Sequence, residues 1–146
     1  MRKVAIVTGA SRGLGRGIAL TLAREGGYKV YSTARNGRAL HELSHEASEN
    51  DTGGFVVPYV LDQNDDAAVE QFVSIVYANE GKVDALVNSS YGGLVAIAPH
   101  FGKPFWERPT AVFDEAMNIG VRSSYVMSKF VAPIMVERKA GIIVQT

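Results

Sequence analysis

Hydrophobic and polar positions alternate along the chain in two patterns, which predict strands and helices in turn. Short, mostly apolar runs predict buried strands at residues 3–8, 29–33, 55–61, 84–88 and 141–144. Between these runs, apolar residues repeat every three to four positions, which is typical of helices with one buried face. Because strands that alternate with helices indicate parallel βαβ units, the pattern predicts an α/β fold, a doubly wound, Rossmann-like parallel sheet.

Turn-forming and capping residues predict where the helices begin and end. The first helix should stop at Gly26 and Gly27, the second should cover residues 38–49, and the third should begin at an Asn64 N-cap. The side chains expected to face the sheet from these helices are Leu14, Ile18 and Leu22, then Leu40, Leu43 and Ala47, then Val69, Phe72, Val73 and Val76.

Two prolines add information about the sheet and the last helix. Pro58 lies within the third strand, and a central strand tolerates proline badly because the residue cannot donate to the ladder. The third strand is therefore expected at an edge, which is its place in the strand order 3-2-1-4-5. Residues 89–109 show no repeat and should form a long connection. A long helix over 110–137 should follow, with a bend at Pro133.

The first turn carries the strongest chemical signal in the sequence. Residues 8–15 read Thr-Gly-Ala-Ser-Arg-Gly-Leu-Gly, directly after a strand and at the start of a helix. Glycines allow a ligand to approach the backbone closely, and the first free N–H groups of the helix suit a pyrophosphate. A glycine pattern in this structural context predicts a nucleotide-binding site.

Composition limits the classes of function. The 146 residues suffice for one domain, so residues 1–146 are interpreted as a single dinucleotide-binding domain. Formal net charge is zero, which gives no electrostatic argument for nucleic acid or an anionic membrane as partner. The chain has no cysteine, hence no disulfide and no thiolate chemistry, and no apolar run long enough to span a membrane. We expect a cytoplasmic protein, and association with an organelle is compatible with the sequence.

With the sheet laid out, the motifs resemble the classical short-chain dehydrogenase/reductase family over the whole chain. The resemblance rests on the turn at 8–15, on Leu61 and Asp62 after strand three, on residues 87–90, and on Asn118 in a helix. It implies a Rossmann-like fold, a nicotinamide cofactor and a small carbonyl or alcohol substrate. The residues that it assigns to cofactor binding are Gly9, Ser11, Arg12, Gly13, Leu14, Gly15, Arg35, Asp62, Gln63, Asn88 and Ser89.

The resemblance also assigns a catalytic role and shows two departures. Asn118 falls on the family's helical asparagine, which holds a water in the proton relay; its alternative is an ordinary solvent-facing side chain. Ser89 stands where the family has a second Asn. The family's Ser and Tyr-x-x-x-Lys follow strand five, beyond Thr146, so the chain resembles the cofactor-binding half and we expect no turnover by these residues alone. A catalytically silent NADP(H)-binding or interaction module is the alternative.

The end of strand two bears on the choice of cofactor. NAD(H) favours an acidic residue there, which accepts from the ribose hydroxyls, whereas this strand ends in Ser32-Thr33-Ala34-Arg35. Arg35 and Arg12 could hold a 2′-phosphate, for which the planar guanidinium is suited. NADP(H) is therefore predicted over NAD(H), and the alternative is that both arginines are simply solvated.

Two other motifs match known catalytic patterns by letter. Tyr125 and Lys129 fit Tyr-x-x-x-Lys but precede strand five, so we interpret them as packing residues at a helix–helix dimer contact. His41, Glu42 and His45 fit the zinc-hydrolase pattern His-Glu-x-x-His. Because Leu40 and Leu43 should face the sheet, both histidines should face solvent, and no metal site is predicted.

The long connection and the open edge of strand five complete the predictions. Phe101, Phe105 and Trp106 could line a pocket for an apolar substrate or pack over the core. Strand five is apolar and would have an unpaired edge in this chain, which favours self-association, and we expect a homo-oligomer.

Overall fold

The computed structural model describes residues 2–49 and 51–146 and contains one parallel sheet of five strands. The strands are β1 Val4–Thr8, β2 Lys29–Ala34, β3 Phe55–Val60, β4 Ala85–Asn88 and β5 Ile142–Gln145. Their order is β3-β2-β1-β4-β5, and every pairing is parallel. The predicted fold class and strand order are confirmed, and β3 with its proline lies at an edge.

The described part of the chain contains six α-helices, of which α1, α2, α3 and α6 cover the two faces of the sheet. They are α1 Gly13–Arg24, α2 Gly37–Ser48, α3 Asp66–Glu80, α4 Gly93–Ile97, α5 Thr110–Ala116 and α6 Ser123–Arg138. A π-helical segment, Met117–Arg122, joins α5 to α6, and short 3₁₀ turns lie at Ala98–His100 and Phe105–Glu107.

Side chains of β1 divide between two cores because successive residues of a strand point to opposite faces. Val4 and Ile6 pack with residues of α3 and α6, whereas Ala5 and Val7 pack with residues of α1 and α2. Phe72 of α3 is the largest fully buried side chain. The predicted buried faces of α2 and α3 are confirmed. Layers on both faces leave the carboxyl ends of the strands free to form a site.

The prediction for the buried face of α1 is correct in part: Ile18 and Leu22 are half-buried and pack against the core, but Leu14 does not. The buried residues of this helix are Gly15, Ala19 and Ala23, whereas Leu14 is 62% exposed. Small residues face the sheet because the helix lies close to it: a Cβ at Gly15 would lie 2.6 Å from the carbonyl oxygen of Gly9. Hydrophobic spacing alone does not reveal this close approach.

Three further boundaries differ from the predictions. The N-cap of α3 is Asp65, whose Oδ1 accepts from the Ala68 N–H at 3.0 Å, and not Asn64. The connection after β4 contains α4 and both 3₁₀ turns rather than irregular chain. The long helix departs from α-helical geometry at Met117–Arg122. Pro133 lies inside the helix, as predicted.

At the amino end of β4, Asp84 joins three elements. Its carboxylate accepts from the Val4 N–H at 2.8 Å and pairs with Lys82 at 3.0 Å and with Arg138 at 3.2 Å. Burial alone would raise the pKa of the Asp84 carboxyl, but these three partners together hold that pKa below its ordinary value. Since the folded-state pKa is lowered, Asp84 stabilises the fold at neutral pH, and this contribution is lost as pH falls through the folded-state pKa.

Asp84→Asn is expected to lower the free energy of unfolding at neutral pH by about 2 kcal/mol, because two partly buried cations lose their counter-ion. The difference from the unsubstituted chain should shrink as pH falls below about 4, where the carboxyl of the unfolded chain takes up a proton. Urea unfolding at several pH values measures this. Glu42→Gln, which removes the exposed partner of Arg38, should cost less than about 0.5 kcal/mol. Equal losses for both variants would contradict the assignment.

Candidate cofactor-binding site

The turn after β1 is held between two other strands. Gly9 has φ +66°, and a Cβ there would lie 2.4 Å from the carbonyl oxygen of Ser89. The Ala10 N–H donates to the carbonyl of Thr33, at the end of β2, at 3.0 Å. The turn therefore lies directly against the loop after β4 on one side and against β2 on the other, which only a glycine at position 9 permits.

Helix α1 begins at this turn without a side-chain cap. Arg12 precedes the helix in an extended conformation, and its guanidinium group has no acceptor with which to cap the N–H groups of the first turn. Gly13 has φ +58° and open space where a Cβ would stand. An uncapped helix N-terminus offers N–H groups and the positive end of the helix dipole to an anion. The turn can thus hold a pyrophosphate against the backbone.

A cleft of about 740 Å³ lies over the carboxyl ends of the strands. Its wall includes Gly9, Ser11, Arg12, Gly13, Leu14, Gly15, Arg35, Asp62, Gln63 and Ser89. The structure therefore brings together every residue that the sequence assigned to the cofactor except Asn88. The cleft lies at the ends of β1 and β4, from which the connections lead to opposite sides of the sheet. Open α/β sheets bind ligands at this switch point.

One end of the cleft carries positive charge. Arg12 and Arg35 are both exposed and both line the wall, and neither forms an ion pair with any residue in 2–49 or 51–146. The chain continues from Arg35 to Asn36, whose side-chain oxygen accepts from the Ala39 N–H at 3.2 Å and caps α2. The residue that caps α2 is thus an uncharged amide, and the two guanidinium groups face the cleft without a neighbouring carboxylate at the end of β2.

Residues after β3 form the adjoining wall. The Asp62 Oδ1 accepts from the Asn64 N–H at 3.0 Å, which fixes the carboxylate at the turn. Gln63 is buried, and its amide donates to the Thr33 hydroxyl at 3.1 Å. Gln63 therefore joins the ends of β2 and β3 with its side chain, while Asp62 is the exposed polar group that a ligand would meet.

Asn88 does not line the cleft. Its side chain is fully buried, and Nδ2 donates to the Ser128 hydroxyl at 3.0 Å and to the Ser124 carbonyl at 3.4 Å, both on α6. Its main-chain carbonyl accepts from the Thr146 N–H at 3.1 Å. The structure thus places Asn88 beneath the site, where it attaches β4 to α6 and β5.

Thr8 is a site residue that the sequence reasoning missed. Its hydroxyl accepts from the N–H groups of Ser89 at 3.0 Å and of Ser90 at 3.2 Å, so it holds the loop after β4 to the end of β1. The Ser89 hydroxyl in turn lies 3.0 Å from that of Thr146. A threonine as the last residue of β1, immediately before the glycine turn, was the available signal.

Asn118, in the π-helical segment, is not part of the wall of the main cleft but lies at its rim, next to the wall residue Ile119. Asn118 is exposed and lines a second concavity, which shares Asp62 with the main cleft. Arg122, at the end of the segment, forms a bidentate pair with Asp66 of α3 at 2.7 and 2.8 Å. The hydrogen bonds from Arg122 hold the pKa of the Asp66 carboxyl below its ordinary value.

The other end of the cleft is apolar. Tyr91, Leu94, Val95 and Ile119 line it, and the buried side chain of Ile119 packs where Gly92 leaves room. Phe101, Phe105 and Trp106 lie outside the cleft and are 65–77% exposed, so they neither line this site nor pack over the core of the described chain.

The two alternative motifs lie away from the cleft. Tyr125 is 69% exposed on α6 and Lys129 is exposed beside the ring of Phe130, so neither side chain is buried in the core, and their role at a helix–helix dimer contact stays a prediction. His41 and His45 are exposed on α2, as the helix geometry predicted. Within residues 2–49 and 51–146, no three His, Asp or Glu side chains approach closely enough to hold a metal ion, and no helix is long and apolar enough to cross a membrane.

Comparisons with known proteins agree with this geometry. The sequence profile described as short chain dehydrogenase matches residues 3–146. Dehydrogenase/reductase SDR family member 1 of Mus musculus is 40% identical over 143 residues, which cover 97% of this chain and 45% of that protein. The chain thus spans a little under half the length of this curated relative. Tyr91-Gly92, Phe105-Trp106-Glu107, Pro109 and residues 118–122 resemble the sequence of this relative, and the comparison confirms that resemblance.

Two solved structures share the fold at more than a quarter identity. A metagenomic short-chain oxidoreductase in complex with NADP gives a TM-score of 0.84 at 31% identity, covering 98% of this chain and 61% of that one. An NAD⁺-bound xylitol dehydrogenase gives 0.83 at 30% identity, covering 98% and 52%. Neighbours of this fold therefore bind either nucleotide. The profile match, the relatives and the cleft together show that the chain belongs to the short-chain dehydrogenase/reductase family of oxidoreductases.

Proposed function

We propose that this chain is the cofactor-binding half of an NADP(H)-dependent oxidoreductase that acts on a carbonyl or alcohol substrate. The observation that carries the proposal is the pair of exposed guanidinium groups, Arg12 and Arg35, on the wall of a cleft that an uncapped helix N-terminus also faces. Arginine forks suit a 2′-phosphate, and the end of β2 offers no carboxylate to the ribose hydroxyls. When bound, the nicotinamide cofactor would supply or accept the hydride.

Several residues of the wall have a proposed role toward the dinucleotide. The N–H groups at Gly13, Leu14 and Gly15 would hold the pyrophosphate, and Asp62 would meet the adenine. The apolar end, with Leu94 and Ile119, would receive the nicotinamide and the substrate. Asn88 would act indirectly, by fixing β4 to α6.

Asn118 is proposed to hold a water at the rim of the site. Its side chain is exposed and makes no hydrogen bond to another described side chain, so its amide is available for one. Because Tyr125 and Lys129 lie outside the cleft, they cannot supply the general acid of the reaction from their places on α6. We expect the 146-residue chain alone to bind cofactor without measurable carbonyl reduction.

A fluorescence titration of the folded chain with NADPH and NADH tests the proposal. NADPH should bind at least about tenfold more tightly, since one charge-assisted hydrogen bond to the 2′-phosphate contributes about 1.5–3 kcal/mol. Carbonyl reduction is followed in parallel by NADPH absorbance. Equal affinity for both nucleotides would overturn the choice of cofactor, and binding of neither would overturn the site.

A second candidate is a non-catalytic NADP(H)-binding module. It is favoured by the observation that, among the described residues, the cleft is bordered by Tyr91 but by no lysine that could lower a tyrosine pKa. The intact mass of the native polypeptide separates the two candidates: continuation into a Ser and a Tyr-x-x-x-Lys favours the enzyme.

A cytoplasmic location stays a prediction of the sequence.

The exposed side of the long helix supports the predicted homo-oligomer. Apolar side chains recur every four residues through α5, the π segment and α6 and are all exposed: Phe113, Met117, Val121 and Tyr125, at 65, 39, 57 and 69%. A continuous apolar stripe of this kind marks an interaction surface, and an antiparallel second copy would pair the stripe with itself.

Val121→Glu is therefore expected to convert the oligomer to a monomer, because it places a charge in the middle of the stripe. Light scattering measures the mass at increasing concentration. Val60→Glu changes an equally exposed residue of β3 and should leave the oligomer intact. A monomeric unsubstituted chain, or an oligomer that survives Val121→Glu, would rule out this surface.

A further inference from the structure

The helix that carries Asn118 is interrupted where Asn118 lies. Residues 117–122 form a π turn, in which the Ser123 N–H donates to the Asn118 carbonyl, five residues back. A π turn widens the helix and breaks the regular pairing of carbonyls with N–H groups four residues on, and such turns are frequent at functional sites. The carbonyl groups within the turn therefore need other hydrogen-bond donors, because buried carbonyls are rarely left unpaired.

Two buried serines provide that compensation. The Ser123 hydroxyl donates to the Ile119 carbonyl at 2.6 Å, and the Ser124 hydroxyl donates to the Gly120 carbonyl at 2.6 Å. Both serines are less than a tenth exposed. Serine hydroxyls that bond a carbonyl four residues back bend a helix. Here both bonds end within the π turn, so they hold its altered geometry.

Ser124 is in addition attached to the sheet. Its hydroxyl accepts from the Gln145 Nε2 at 2.8 Å, and Gln145 is the last residue of β5, next to Thr146 on the wall of the cleft. A continuous chain of hydrogen bonds thus runs from the end of β5 through the Ser124 hydroxyl to the Gly120 carbonyl. Arg122 and Asp66 hold the opposite, solvent side of the turn.

We infer that Ser124, held by Gln145, is a positioning residue that fixes the π turn and thereby places Asn118 at the rim of the cofactor cleft. The inference rests on the proposed role of Asn118, although the link between Ser124 and the turn stands on the hydrogen bonds alone. Because each hydrogen bond in this chain fixes the position of the next group, loss of the Ser124 hydroxyl or of the Gln145 amide should loosen the π turn. Neither loss removes a proposed contact to the cofactor.

The test uses Ser124→Ala, Gln145→Met, the double variant, and Ser128→Ala as the matched control. Ser128 lies on the same helix and loses a bond from Asn88, but it makes no contact within the π turn. The readouts are amide hydrogen exchange of residues 117–122 and the NMR signals of the Asn118 side-chain amide. NADPH affinity and exchange in α3 are followed alongside.

Exchange in the π turn should accelerate about fivefold to tenfold in Ser124→Ala and in Gln145→Met, with a shifted Asn118 side-chain signal. The double variant should add little to Ser124→Ala, since both changes break one chain. In Ser128→Ala, the exchange rate of residues 117–122 should stay within about twofold of that in the unsubstituted protein. Gln145→Met leaves the buried serine in place and tests the same link should Ser124→Ala fail to fold.

Unchanged exchange and an unchanged Asn118 signal in Gln145→Met, or the same acceleration in Ser128→Ala, would overturn the inference. NADPH affinity should stay the same in Ser124→Ala, in Gln145→Met and in the double variant; Ser128→Ala is a control for the exchange of the π turn only, because it removes a bond of Asn88. If the unsubstituted chain binds no NADPH, the proposed function fails whatever the exchange shows; if it binds NADPH and the turn is not loosened, only the positioning role fails.

Discussion

Replacing both Arg12 and Arg35 by alanine is expected to weaken NADPH binding at least about a hundredfold and to change NADH binding by less than about threefold. Both guanidinium groups line the cleft and neither pairs with another described residue, so each is available to the 2′-phosphate. A hydrogen bond to a charged group contributes about 1.5–3 kcal/mol, which is roughly tenfold to hundredfold in affinity for each arginine. Calorimetric titration of both nucleotides measures the effect.

The matched control is Arg38→Ala, which removes a neighbouring guanidinium that pairs with Glu42 on the exposed face of α2. This substitution also removes a guanidinium charge, but from a residue outside the wall of the cleft, so NADPH affinity should change by less than about threefold. The role of the two arginines would be contradicted by a double variant that still prefers NADPH, or by Arg38→Ala having an equal effect.

Gly9→Ala is expected to lower the free energy of unfolding by about 3 kcal/mol and to abolish cofactor binding. Its left-handed backbone costs a side-chain-bearing residue about 1–2 kcal/mol, and overlap with the Ser89 carbonyl, 2.4 Å from the new Cβ, adds about 1–3 kcal/mol. Urea unfolding gives the stability and calorimetry gives the binding.

Two other glycines of the same region separate stability from binding. Gly13→Ala also meets a positive φ but open space, so it should cost only about 1 kcal/mol while its methyl group enters the cleft and weakens NADPH at least about tenfold. Gly17→Ala lies inside α1 with no atom nearby and should be neutral or stabilising, with binding unchanged. A stable, cofactor-binding Gly9→Ala would contradict the account of the turn.

Much of this site could be predicted because it depends on local chemistry. The glycine turn, the proline in β3 and the alternation of strands with helices each report a backbone requirement that is readable in the sequence, and they gave the strand order correctly. The carboxyl ends of parallel strands meet at one edge, so naming the strand ends also named most of the wall of the cleft.

The errors arose where tertiary contacts override local pattern. Leu14 fits a helical stripe, yet it is exposed, and the fully buried residues of α1 are the small ones, Gly15, Ala19 and Ala23, because the helix lies close to the turn. Asn88 ends its strand in the expected place, but two acceptors on α6, the Ser124 carbonyl and the Ser128 hydroxyl, hold its side chain beneath the site. The π turn at 117–122 depends on hydrogen bonds from two serines and a strand, none of which periodicity reveals.

The most direct test of the central claim is amide NMR of the folded chain during titration with NADPH. The account predicts saturable shifts at the N–H groups of residues 13–15 and at the side chains of Arg12 and Arg35, with one equivalent bound. A chain that is folded by its own spectrum, and whose signals at these groups do not move at millimolar NADPH, would contradict it.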